Sequence, residues 1–330
     1  MKEKDIKGLL EAYREEVQNG AHWESREAYL DRCRNVYDKY CIGKTTEEQV
    51  LTWLALLKKP LFLGVYESFS TGDMAMLNDA LAQGARHAQN GAIHASGVDH
   101  SLYAFRILPE LLAANLFERV PMLLPETLGL SNNGYITGIP IINLFMALWY
   151  ERTDYAETAR VQAEKCLQHK RNITHMGVMR YLLALLDKDC DMASEQLAVI
   201  CQGCRRSSDF GETKFTRSFA VQAHGWYNLS NYVYGGALEG QVRMPEESNF
   251  SQALALWQRE HGYIPGGMYI VYPAPMELVN VVLNAEPPAT TLRALSNSRK
   301  LCIDADSFKE RMVQNVLRLC AGDVSENERK

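Results

Sequence analysis

Thr71-Gly72-Asp73-Met74-Ala75, Arg152-Thr153-Asp154-Tyr155-Ala156 and Asp189-Cys190-Asp191-Met192-Ala193 share one pattern. Each joins an apolar helical stretch to a second one. A weaker fourth copy, Ala114-Asn115-Leu116-Phe117, lies between the first two. The residues that align are Asp73, Asn115, Asp154 and Asp191, at steps of 42, 39 and 37 residues. An Asp or Asn at such a junction accepts backbone N–H bonds as the N-cap of the following helix. Asp73, Asp154 and Asp191 are therefore expected to be helix caps. The small Ala two residues on would let paired helices approach closely. Hairpins of this length bury their apolar faces only by stacking on neighbours. The expected fold is all-α: stacked antiparallel helical hairpins, a degenerate tetratricopeptide-like array lacking most of that repeat's Trp, Gly, Tyr and Pro positions.

The flanks read the same way. Leu9, Leu10, Tyr13 and Val17 fall at helical spacing over residues 5–19, and Gly20 ends that helix. A second helix starts near Ser25. Thr45 and Glu48 form a capping-box pair that opens a third, stopped by Lys58-Lys59-Pro60. Turn-rich loops are expected at 125–140 and 235–249. Helices follow at about 250–260, 276–284 and 307–320, with a Gly/Pro-rich segment from His261 to Pro275. A single domain would span 1–321, in three parts: N-terminal helices 1–59, hairpin repeats 60–234, and C-terminal helices with long loops 235–321. A frayed tail is expected at 322–330.

Composition excludes several classes. The chain has 330 residues, of which 47% are hydrophobic and 23% charged, an ordinary globular balance. The net charge of −5 argues against a broad nucleic-acid surface. The longest apolar run, Ile136 to Tyr150, is broken by Gly138 and Pro140, so no membrane span is expected. The N-terminus lacks an apolar signal core, and the eight cysteines are scattered, so a cytoplasmic location with free thiols is expected.

Catalytic motifs are missing: there is no HExxH, no nucleophile elbow, no phosphate-binding glycine loop and no dinucleotide fingerprint. No catalytic residue and no cofactor is assigned. Cys201-Gln-Gly-Cys204 is the one CxxC, and with His169 and His175 it makes a weak zinc candidate. The motif falls late in its helix, where the dipole does not activate a thiol, so two buried thiols are the simpler expectation. His224 lies on an aromatic helix and reads as a core histidine.

Aromatic residues concentrate late in the chain. Trp226, Tyr232, Tyr234, Tyr263, Tyr269 and Tyr272 sit in or beside glycine- and proline-rich stretches, with Glu246 and Glu247 nearby. Tyr and Trp offer large contact area at low entropy cost, so these eight residues are candidates for an acidic, aromatic partner-binding surface. A tyrosine-lined core is the alternative.

Several pieces of the chain resemble the bacterial polymorphic-toxin immunity proteins grouped as immunity-protein family 49. They are Leu111-Leu-Ala-Ala-Asn115-Leu-Phe with Leu124-Pro-Glu126, Ala147-Leu148-Trp149 before Asp154, and Leu182 to Leu186 before Asp191. Ala223-His224-Gly225-Trp226-Tyr227 and Phe250-Ser-Gln-Ala-Leu254-Ala-Leu-Trp257 complete the set. The resemblance spans residues 50–285 and carries no catalytic residues. It implies a helical cytoplasmic inhibitor that covers the active site of a cognate toxin, with no chemistry of its own. A helical-repeat adaptor that binds a peptide or protein around Tyr150 and Arg180, and an unrecognised metal-dependent enzyme, are the alternatives.

Overall fold

Asp73 caps as its spacing predicts: its side chain accepts the Met76 N–H at 2.9 Å. The computed structural model describes residues 1–169, 171–206, 213–294 and 300–322. The expected tail, from residue 323 on, lies outside the described residues. In chain order, the N-terminal helices are α1 (Glu3–Gln18), α2 (Arg26–Tyr40) and α3 (Thr46–Leu56). The middle holds α4 (Leu61–Thr71), α5 (Met74–Asn90), α6 (His100–Ala113), α7 (Val120–Leu123), α8 (Gly138–Trp149), α9 (Thr153–Leu167), α10 (Ile173–Leu186), α11 (Cys190–Arg206), α12 (Lys214–Arg217) and α13 (Val221–Tyr232). Next are α14 (Gln252–Glu260), α15 (Leu278–Asn284), strands β1 (Leu292–Ala294) and β2 (Leu301–Ile303), and α16 (Ala305–Cys320). The fold is all-α. Its buried side chains form one contiguous cluster from Leu9 to Val316, and the eight cysteines are free thiols. Among the described residues, no helix is long and apolar enough to cross a membrane.

Helices α4 and α5, α8 and α9, and α10 and α11 pack as sequential pairs. What repeats is the backbone of the junction. Gly72, Asn115, Glu151 and Lys188 all have left-handed φ, at 76°, 56°, 50° and 57°. The N–H of the residue after each one reaches back five residues: Asp73 to Ser68, Leu116 to Leu111, Arg152 to Ala147, and Asp189 to Ala184. This closing turn satisfies carbonyls that a helix end leaves orphaned.

The turns correct two of the expected caps. The residues that follow the left-handed position are Asp73, Arg152 and Asp189. Asp189, not Asp191, accepts the Met192 N–H at 2.9 Å, while Asp191 lies inside α11 and pairs with Arg243. Asp154 lies inside the first turn of α9 and binds the Arg152 guanidinium through both oxygens, at 2.8 and 2.6 Å. Its charge suits the helix N-terminus, but it caps nothing. Aligning the shared Asp-Met-Ala text slips the register by two residues. The Asn115 copy is not a hairpin either, because α6 packs mainly on the distant α13. There Gly225 comes so close that a Cβ would stand 2.1 Å from the Pro109 carbonyl oxygen. Of the three junction alanines, only Ala193 is fully buried.

Ser25 and the Thr45/Glu48 box cap α2 and α3 as expected. The loop expected to reach Pro140 ends earlier, at Gly138. Pro140 occupies the first turn of α8, where no N–H is needed. The short antiparallel pair β1–β2, with Arg293 opposite Cys302, has three residues per strand and no alternating pattern to announce it.

Candidate functional site

The late aromatic residues divide sharply once packed. Trp226, Tyr269 and Tyr272 are buried, so they belong to the core and not to a surface. Trp226 faces Phe145 and Tyr181. Tyr272 shares a 2.6 Å hydrogen bond with the Tyr29 hydroxyl, which itself donates to the Lys58 carbonyl. Tyr269 donates to the Glu67 carboxylate at 2.8 Å beneath the Arg26 guanidinium. Tyr263 is half-buried with a left-handed φ of 54°, and its hydroxyl is buried without a partner among the described residues. Glu247 is half-buried and accepts from Gln202 at 3.3 Å. Glu246 is exposed.

Tyr232 and Tyr234 remain, and the fold gives them company that the sequence reading missed. Tyr232 ends α13 and is 45% exposed. Its ring stacks on Phe117 at 4.1 Å and on Trp149 at 4.9 Å, and Trp149 stacks on Phe145 at 5.4 Å. The four rings thus stack in the order Phe145, Trp149, Tyr232, Phe117, with both end rings buried and Tyr232 partly exposed between Trp149 and Phe117. Beside it opens a cleft of about 490 Å³, lined among others by Trp149, Glu151, Tyr232, Tyr234, Gly235 and Gly236.

The cleft wall is an unusual piece of backbone. Tyr234, Gly235 and Gly236 all have positive φ, at 56°, 62° and 82°. Glycine takes that region freely, but tyrosine there is strained. Tyr234 is held by donating its hydroxyl to the Leu185 carbonyl at 3.2 Å, and the Lys188 ammonium lies 4.5 Å from its ring centre. Its hydroxyl pKa is raised, first by burial and then by the nearby Glu151 and Asp187 carboxylates. Asn231 closes the turn by donating to the Tyr227 carbonyl and accepting from the Gly240 N–H. The rest of the 235–249 loop is fastened to α11: Arg243 N–H to Ser194, Arg205 to Ser248, and Asn249 to the Cys201 carbonyl.

Compared with models of protein families, with curated proteins and with solved structures, the chain finds no match.

The zinc candidate does not assemble. Cys201 and Cys204 are buried in α11, and burial pushes the Cys201 thiol well up, away from a thiolate. The glycine between them packs so tightly that a Cβ would stand 2.3 Å from Thr174 Oγ1. His175 is buried with Nδ1 at 2.8 Å from the Thr137 hydroxyl, whereas His169 is exposed beyond the end of α9. Among the described residues, no three His, Cys, Asp or Glu side chains are placed to hold a metal. His224 is the core histidine the sequence suggests. Its Nε2 accepts the Ser251 N–H at 3.1 Å, and burial drops its pKa to about 3.

The cleft's lining is suited to binding. Tyr232, stacked between Trp149 and Phe117, offers its exposed part to the cleft, and the exposed Glu151 and Glu239 lie beside it, with the Lys188 ammonium near Tyr234.

Proposed function

We propose that this chain is a non-catalytic binding protein, an immunity protein of the kind its sequence resembles, which captures a toxin domain through the Tyr232 cleft. One observation supports the reading: in a four-ring stack, the ring of Tyr232, held between Trp149 and Phe117, remains 45% exposed beside a strained, left-handed turn. Exposed aromatic residues backed by other rings are the usual anchors of protein interfaces, because little entropy is lost when they are covered. Glu151 and Glu239 suit a basic partner surface. A toxin with a positively charged substrate groove would present one.

The test is a titration of the purified chain against the toxin domain encoded beside it, with Tyr232→Ala and Trp149→Ala in parallel. Tight one-to-one binding by the wild type, weakened by about 2 kcal/mol in each variant, supports the reading. Absence of a complex, together with no protection on co-expression, overturns it. Binding lost on substitution of Arg180 but kept in Tyr232→Ala would favour a helical-repeat adaptor instead.

A further inference from the structure

A second cavity, of about 360 Å³, lies where α1, the end of α11, α12 and the Ser248–Asn249 turn meet. Among the described residues its walls carry Lys4, Arg205, Lys214 and Arg217, against one carboxylate, Asp5. That is a local excess of cations in a chain whose net charge is −5. Asp5 is already engaged, because it accepts the Lys2 backbone N–H at 3.1 Å. Lys214 pairs with Glu15 at 2.9 Å on the outer surface. Among the described residues, Lys4, Arg205 and Arg217 make no ion pair.

Among the described residues, the two arginines are steadied without being neutralised. Arg205 gives one N–H to the Ser248 hydroxyl at 3.2 Å, and Arg217 gives its Nε to the Thr213 carbonyl at 3.1 Å. Each guanidinium carries five N–H donors in a fixed fork, and among the described residues these bonds use only part of it. Gathering like charges in one hollow costs repulsion that an anion between them would relieve. Ser218 also lines the hollow, and among the described residues no aromatic side chain does. The described lining would recognise a ligand by charge and by oxygen geometry.

We propose that this cavity is a binding site for a small phosphoryl-bearing polyanion of the diphosphate class. Planar forks match phosphoryl oxygens two at a time, which a halide or a single carboxylate cannot exploit as well. The site shares no lining residue with the Tyr232 cleft and does not rest on the interface reading.

Calorimetric titration of the full chain with pyrophosphate at physiological salt tests it, using Arg217→Gln, Arg217→Lys and Lys4→Gln. Saturable one-site binding is expected. Arg217→Gln should weaken it about tenfold, and Arg217→Lys, which keeps the charge but loses the fork, should weaken it less. Lys4 is exposed in the first turn of α1, so Lys4→Gln leaves the fold intact and should still weaken binding. The proposal is overturned if pyrophosphate gives no saturable heat. It is equally overturned if Lys4→Gln and Arg217→Gln bind like wild type, or if sodium chloride of matched ionic strength displaces pyrophosphate completely.

Discussion

Two segments of this chain look alike in composition and behave in opposite ways. Residues 232–240 and 261–275 are both rich in glycine and tyrosine. The second is a strap laid along α5, and α5 supplies polar side chains for its backbone. Gln83 both donates to the Ile270 carbonyl and accepts the Ile270 N–H. Arg86 donates to the Gly266 and Gly267 carbonyls, and Asp79 accepts the Gly267 N–H at 2.6 Å. With its backbone satisfied, the strap can bury Tyr269 and Tyr272. The first segment takes fewer bonds from helices: Tyr234 reaches the Leu185 carbonyl of α10, and Asn231 of α13 accepts the Gly240 N–H. It closes on itself through Asn231 and leaves Tyr232 in solvent. Whether a glycine-rich aromatic stretch becomes core or surface is decided by the element it lies on.

The contrast can be broken at its glycines. A Cβ on Gly266 would stand 2.4 Å from the Asn78 carbonyl oxygen, which is backbone and cannot swing away. Gly266→Ala should therefore cost about 3 kcal/mol in urea unfolding. Gln83→Ala strands a buried N–H and a buried carbonyl at Ile270 and should cost about 2 to 3 kcal/mol by the same measurement. Acid should act on histidines outside both segments. His224 binds its proton only near pH 3 when folded, against 6.5 when unfolded, so the unfolded chain holds more protons in between. Stability is then complete above pH 6.5 and falls as pH drops toward 3, by about 2 kcal/mol from this residue between pH 7 and 5. His87, lowered to about 4 by burial, adds a loss of the same sign. A flat urea midpoint between pH 7 and 5 would contradict this. The smallest effect belongs to the cleft. Gly235 has a φ of +62° and open space around its Cβ position, so Gly235→Ala should cost only about 1 kcal/mol of backbone strain.

Much of the helical order is legible because caps are local chemistry. Ser25, the Thr45/Glu48 box and Asp73 each act on an N–H three residues away. The repeat was visible, but its register was not. The left-handed residue that defines each turn is glycine only at Gly72; Asn115, Glu151 and Lys188 fill the same position with little in the text to mark it. The stack is legible in half. Tyr232 and Tyr234 stand out by their glycine neighbours, whereas Trp149 reads as one more apolar residue of α8. Its pairing with Tyr232 joins positions 83 residues apart, which no local pattern reports.

The strap also orders events in time. Its bonds to α5 span up to 189 positions of chain, whereas the α8–α9 and α10–α11 pairs join immediate neighbours. Short loops close cheaply and early, and distant contacts wait. On a ribosome, α5 emerges long before residues 264–272 exist, with Asn78, Gln83 and Arg86 still facing water. The first quarter of the chain thus leaves the exit tunnel as helices that cannot finish packing, and the last quarter, arriving afterwards, completes them.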